Sequence, residues 1–158
     1  MSNFQAILKM VKELARNKRA YFDYEILEEI EAGIVLKGFE TKAAKSGKID
    51  LSGSYARVKD SEAWLLGASI SPYQPKNTPE DYDPERIRKL LLTAKEAKYL
   101  LGKANEAGLT VVPLRAYIKG RLVKVSLGLA RSKKKRDKRQ AIRKREADIE
   151  IRRKLKNK

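Results

Sequence analysis

The sequence contains no cysteine and no histidine. Without cysteine there is no disulfide, no thiolate nucleophile and no cysteine-based zinc site. Without histidine the commonest general base and the commonest metal ligand are missing too. A phosphate loop is also absent, because Gly47-Lys48 has Lys42 where a GxxxxGK[ST] loop needs its first glycine. Most catalytic classes are thereby ruled out or deprived of their usual tools. What remains is a carboxylate- or lysine-based enzyme, for which the Glu28 to Glu31 cluster would be the site. No catalytic residue, metal site or cofactor is expected. No apolar run approaches the roughly 18 residues of a membrane span. The first twenty residues lack the apolar run and small-residue cleavage site of a secretory signal. A soluble, cytoplasmic monomer is expected.

What the chain has in excess is positive charge. Its 37 Lys and Arg against 20 Asp and Glu leave +17, which calls for a polyanionic partner. The excess is uneven. From Arg131 to Lys158 there are 15 basic against 4 acidic residues, a net +11, so the preceding 130 residues carry only +6. A mildly basic body is joined to a strongly basic tail.

Along the body, Ile7, Leu8, Val11, Leu14 and Ala15 recur at spacings of three and four, which predicts a leader helix within residues 1–16. The stretch RAYFDYEILEEIEAGIVLKG reads as extended, and GFETKAAK as one or two helical turns ended by Ser46-Gly47. SYARVKD and EAWLLGASI flank Asp60-Ser61 as a hairpin, with Trp64, Leu66, Ala68 and Ile70 on one face. That reading puts Trp64 in the core rather than on a stacking surface. Four prolines make residues 71–85 a loop. Asp83-Pro84-Glu85 reads as a helix start ahead of Leu90-Leu91-Leu92, and Thr93 to Glu96 as a capping box opening a second helix. A last hairpin pairs LTVVPLRAYIK with RLVKVSLGLA around Lys119-Gly120, and Pro113 marks an edge or bulge.

Five or six strands in hairpins with helices inserted predict a mainly β fold. The expected form is a small antiparallel barrel of OB-fold type over residues 17–130, with flanking helices. Residues 131–158 are a basic tail of good helix formers with too narrow an apolar stripe to offset its ordering entropy. It is expected to be disordered when free and helical on an RNA surface. The acidic cluster Glu25, Glu28, Glu29 and Glu31 stands apart in so basic a chain. These glutamates either face water and pair with lysines, or one of them accepts hydrogen bonds from a base amine or ribose hydroxyl.

The order of short motifs resembles the SmpB family, the small protein B partners of transfer-messenger RNA in bacterial ribosome rescue. The motifs are Asn17-Lys18-Arg19-Ala20; Tyr24 with Glu31-Ala32-Gly33; Gly38, Glu40 and Lys42; Ser54-Tyr55; Pro72-Tyr73; Asp83-Pro84 with Arg88 to Leu92; Val112-Pro113-Leu114 with Tyr117; Lys124; Leu129-Ala130; Lys133-Lys134; and Asp137-Lys138-Arg139. They cover about residues 17 to 139.

The resemblance implies an RNA-binding adaptor that catalyses nothing. Its body would bind the tRNA-like domain of transfer-messenger RNA through Asn17, Lys18, Arg19, Tyr24, Glu31, Leu91 and Lys124. Leu91 reads equally well as a core residue. The tail would probe the empty messenger channel and decoding site of the stalled small ribosomal subunit through Lys133, Lys134, Arg136, Asp137, Lys138 and Arg139. Alanyl-tRNA synthetase and elongation factor Tu would be partners through the RNA, and the outcome would be a degradation tag on the nascent chain. Two positions depart from the family pattern. Arg136 stands where an aromatic residue or histidine is usual, although a guanidinium plane can also stack. Ser132 replaces a glycine, which stiffens the joint between body and tail. The competing reading is a ribosomal or structural RNA-binding protein that acts through the charge of its tail alone.

Overall fold

A computed structural model describes residues 11–106, 108–133 and 135–156. Strand β1 (Val11–Arg16) leads into helix α1 (Lys18–Asp23) and the long strand β2 (Tyr24–Ile34). Helix α2 (Gly38–Lys45) and the short β3 (Ile49–Asp50) follow, then β4 (Tyr55–Lys59), β5 (Glu62–Leu66) and β6 (Ser69–Ile70). The proline loop, with a 3₁₀ turn at Pro75–Asn77, reaches β7 (Arg88–Leu91) and α3 (Ala94–Ala104). The chain closes with β8 (Leu109–Lys119), β9 (Leu122–Ser132) and helix α4 (Lys135–Lys156).

Seven strands form one antiparallel sheet in the order β1-β8-β9-β2-β7-β5-β4, and β3 pairs with β6. The end strands β1 and β4 do not pair with each other, so the expected OB-type barrel is present in open form. Its interior holds Leu65, Ile70, Leu90, Val125 and Leu127, all 2% exposed or less, with Leu100 of α3 packed against them. Burying each such side chain contributes about 1.5–3 kcal/mol. Strand β9 runs to Ser132, two residues past the expected end of the body, because Arg131 and Ser132 still pair with Glu25 and Tyr24.

Several elements differ from the sequence reading, each for a local reason. Val11 to Arg16 form a strand, not the end of a leader helix, because the edge of β8 offers their backbone a ladder. The irregularity between Glu13 and Ala15 lets Leu14 and Ala15 both reach the core despite their helical spacing. The rest of the predicted leader lies outside the described residues.

Residues 19–23, expected to be extended, are helical under the Asn17 cap as part of α1. The Asp83-Pro84-Glu85 signal opens a turn into β7 instead of a helix, since Leu90 and Leu91 are claimed by pairing with β2. Trp64 is only partly buried, while Ala63 and Leu65 face the core. Gly67, at φ +77°, breaks the alternation there, so Ala68 and Ile70 turn inward out of phase with Trp64. The hairpin turn at Asp60-Ser61 (φ 51° and 64°), the Thr93–Glu96 capping box and the ladder irregularity after Pro113 agree with expectation.

One polar cluster is sealed inside. Glu40 and Arg88 are both 0% exposed. Arg88 Nε and Nη2 donate to Glu40 Oε2 at 2.9 and 2.6 Å, and Arg88 Nη1 donates to the Ala68 carbonyl at 3.0 Å. Arg86 and the Tyr82 hydroxyl also donate to Glu40, the latter at 3.0 Å, and so does the Lys37 amide at 2.9 Å. Burial alone would raise the Glu40 carboxyl, but the donors from Arg86, Lys37 and Arg88 outweigh it and hold its pKa at about 2. This charge cluster ties α2 to β7 and the loop before it.

Candidate nucleic-acid interface

The outer face of the sheet is built by alternation along β8, β9, β2 and β7. In register, Tyr117 of β8 lies opposite Lys124 of β9, Lys124 opposite Gly33 of β2, and Gly33 opposite Leu91 of β7. Gly33 has no side chain, and a Cβ there would stand 3.1 Å from that of Leu91. Leu91 therefore lies over the bare backbone of β2 and stays 53% exposed. Its alternative reading as core is overturned, since Leu90 takes the inward position.

Glu31 sits two residues before Gly33, opposite Ser126. The Tyr117 hydroxyl donates to its Oε2 at 2.5 Å, and Lys119 Nζ donates to Oε1 at 3.2 Å. Partial burial would raise the Glu31 pKa, but the Tyr117 and Lys119 hydrogen bonds and the charges of Lys119 and Lys124 lower it. The same contact works on Tyr117 in the other direction. Burial, then the hydrogen bond and charge of Glu31, raise the phenol well above its ordinary value. Glu31 is thus a fixed carboxylate, 37% exposed, held beside cations and an apolar Leu91. It pairs with a lysine, as the first reading of the acidic cluster had it, and still presents an acceptor to solvent. Beside it Glu29 pairs with Arg115 at 3.2 Å, and the Arg115 guanidinium lies 5.8 Å from the Tyr117 ring centre. Glu28 accepts from the Tyr99 hydroxyl of α3 at 2.6 Å.

The remaining body residues gather elsewhere. Asn17, Arg19 and Tyr24 line a cleft of about 420 Å³ with Ser54, Tyr55 and Thr110. Tyr24 and Glu31 lie seven residues apart on β2, roughly 20 Å at strand rise. Asn17 is 3% exposed and its side chain is fully engaged. Its Oδ1 accepts from the Ala20 amide at 3.2 Å, and its Nδ2 donates to the Pro113 carbonyl at 2.9 Å. It shapes the cleft by capping α1 and tying it to β8. Lys18 and Arg19 are exposed on that helix, Arg19 pairing with Asp23 at 3.4 Å.

Of the tail residues, Lys133 is joined to the body. Its amide donates to the Asp23 carbonyl at 2.9 Å and its Nζ to the Tyr21 carbonyl at 3.1 Å, both at the end of α1. Arg136, Asp137, Lys138 and Arg139 fall in the first turns of α4, with Arg139 exposed. Lys134 lies outside the described residues. Among the described residues, no group of three or more acidic side chains could hold a metal, and no helix is long and apolar enough to cross a membrane.

An open OB-type sheet with a cationic, aromatic and acceptor-bearing outer face, extended by a basic helix, is the architecture of an RNA-binding protein. The family model described as SmpB protein matches residues 14–157. An SsrA-binding protein of Thermosynechococcus vestitus is 47% identical over 92% of this chain and 96% of its own length. That of Carboxydothermus hydrogenoformans is 48% identical over 90% and 95%. A chain from a solved structure described as "tmRNA-SmpB: a journey to the center of the bacterial ribosome" superposes with a TM-score of 0.65. It is 48% identical and is matched over 85% of this chain and 95% of that one. The chain belongs to the SmpB family.

Proposed function

We propose that this protein is the adaptor that carries transfer-messenger RNA to stalled ribosomes in the bacterial cytoplasm. The observation that carries the reading is the convergence of Glu31, Leu91 and Lys124 on one outer face, although they lie 60 and 33 residues apart in sequence. Lys124 with Lys119 serves phosphates, Glu31 accepts from base amines or ribose hydroxyls, and Leu91 packs on a base or sugar. The cleft around Arg19 and Tyr24 is a second contact for the same RNA, with Asn17 in a supporting position. Alanyl-tRNA synthetase and elongation factor Tu act on the RNA and reach the protein through it. No step of the chemistry is assigned to the protein.

The tail serves the ribosome, not the RNA partner. Helix α4 carries the basic residues into the empty messenger channel, with Arg136, Asp137, Lys138 and Arg139 at the decoding site. Free of RNA, its like charges and sparse apolar surface favour unravelling. The test is truncation after Lys133, which keeps β9 and the Lys133 hydrogen bonds to the end of α1. The shortened chain is expected to bind the tRNA-like domain normally and to lose tagging on stalled ribosomes. Retained tagging would refute the role given to the tail. A charge-only binder would instead take an unrelated RNA of equal length as tightly at moderate salt, and a competition assay separates the two.

A further inference from the structure

Strands β4, β5 and β7 continue the outer face beyond Leu91, and the side chains there have a consistent character. Trp64 is partly buried at the centre of this extension. It is flanked in register by Arg57 of β4 and Lys89 of β7, and Lys89 Nζ lies 6.0 Å from its ring centre. Tyr55 and Lys59 stand exposed on the same face of β4. Two cations, Arg57 and Lys89, thus flank one indole, and Lys59 stands further along β4 opposite Glu62. Glu62, beside them, pairs with Lys89 at 3.3 Å where both are about half exposed. The core does not need Trp64 outside, since Ala63 and Leu65 fill the inward positions.

The geometry points to Trp64 as a stacking platform for an unpaired nucleotide of the tRNA-like RNA, with Arg57 and Lys89 on the adjoining phosphates. This extension rests on the RNA-binding reading of the Glu31–Leu91–Lys124 face. Continuity decides the occupant: Leu91 and Lys89 are two residues apart on one face of β7, so RNA seated on Leu91 passes next over Trp64. An aromatic ring beside cations accepts any base, because every base has a π face and each phosphate a charge.

Trp64 is the chain's only tryptophan, so its emission reports on this surface alone. The full chain is titrated with the isolated tRNA-like RNA, following tryptophan emission and, in parallel, the anisotropy of the end-labelled RNA. Emission is expected to fall with the same midpoint as the anisotropy rises, and acrylamide access to Trp64 to fall in the complex. Binding by anisotropy with unchanged emission and acrylamide access would overturn the platform and leave the RNA-binding reading standing. Absence of binding by anisotropy would overturn both. Quenching by small ribosomal subunits but not by this RNA would overturn the assigned occupant. Trp64→Leu, which keeps apolar bulk without the ring, is expected to weaken binding roughly ten- to hundredfold. Trp64→Phe should restore most of it. Equal affinity for the Leu and Phe variants would refute stacking.

Discussion

Glu40 and Glu31 are both carboxylates held by a phenol and a cation, yet they sit on opposite sides of the sheet wall. Glu40 accepts from Arg86, Arg88, Tyr82 and a backbone amide, at 0% exposure. Glu31 accepts from Tyr117 and Lys119 with more than a third of its side chain in water. The difference lies in dielectric and in what is left over. Inside, every acceptor site is used and the charges hold the fold together. Outside, solvent screens the pair and leaves the carboxylate able to exchange partners. The same chemistry is therefore architectural in one place and leaves a solvent-facing acceptor in the other.

Breaking the inner cluster should give the largest effect. Glu40→Ala strands a buried Arg88, and a loss of about 3–5 kcal/mol is expected, read as a large fall in Tm. A Tm near that of the unaltered chain would contradict the role given to Glu40. Acid titration tests the same cluster without mutation. Because the folded-state pKa of Glu40 is depressed to about 2 from 4.5, its contribution is complete above about pH 4.5 and is lost as the pH falls through about 2. Its size is about 3 kcal/mol. Urea midpoints measured from pH 6 down to 2 should show this loss in the unaltered chain, and a smaller loss in Glu40→Gln.

Effects on the outer carboxylate should appear in binding and leave stability nearly unchanged. Glu31→Ala is expected to weaken binding of the tRNA-like RNA by about 1–3 kcal/mol. Its urea midpoint should stay close to that of the unaltered chain, and a large drop would make Glu31 a second Glu40. The smallest effect is expected at the joint. Lys133→Ala removes one side-chain hydrogen bond to Tyr21 and should cost about 1 kcal/mol at most, with RNA affinity preserved. Difference circular dichroism of the full chain with small ribosomal subunits should show helix content rising, and content that stays constant would contradict an α4 that forms on the ribosome.

Legibility followed the range of the interactions. The Asp60-Ser61 hairpin, the Thr93 capping box and the α2 helix depend on neighbours within a few residues, and they read directly from the chain. The strand over Val11–Arg16 and the loss of a helix after Asp83 depend on partners in β8, β2 and β5, so local pattern misplaced both. Glu40 and Arg88 were visible as motif residues, but their joining across 48 positions was not. Trp64 was misplaced because strict alternation was carried through Gly67, where the backbone turns. The docking of Lys133 on the end of α1 is not legible in the chain, because composition cannot tell a cation on solvent from one bonded to a helix end.

The sequence alone determined the partner class, because net charge and the uneven tail are sums over residues that need no coordinates. It also determined the family, because ordered short motifs survive as text. Only the tertiary structure decided which acid is sealed and which is offered, that Leu91 faces outward over Gly33, and that Lys133 is anchored. Those are matters of register and burial. A shift of one residue in a strand exchanges core for surface, and that choice is made by the partner strands rather than by the segment itself.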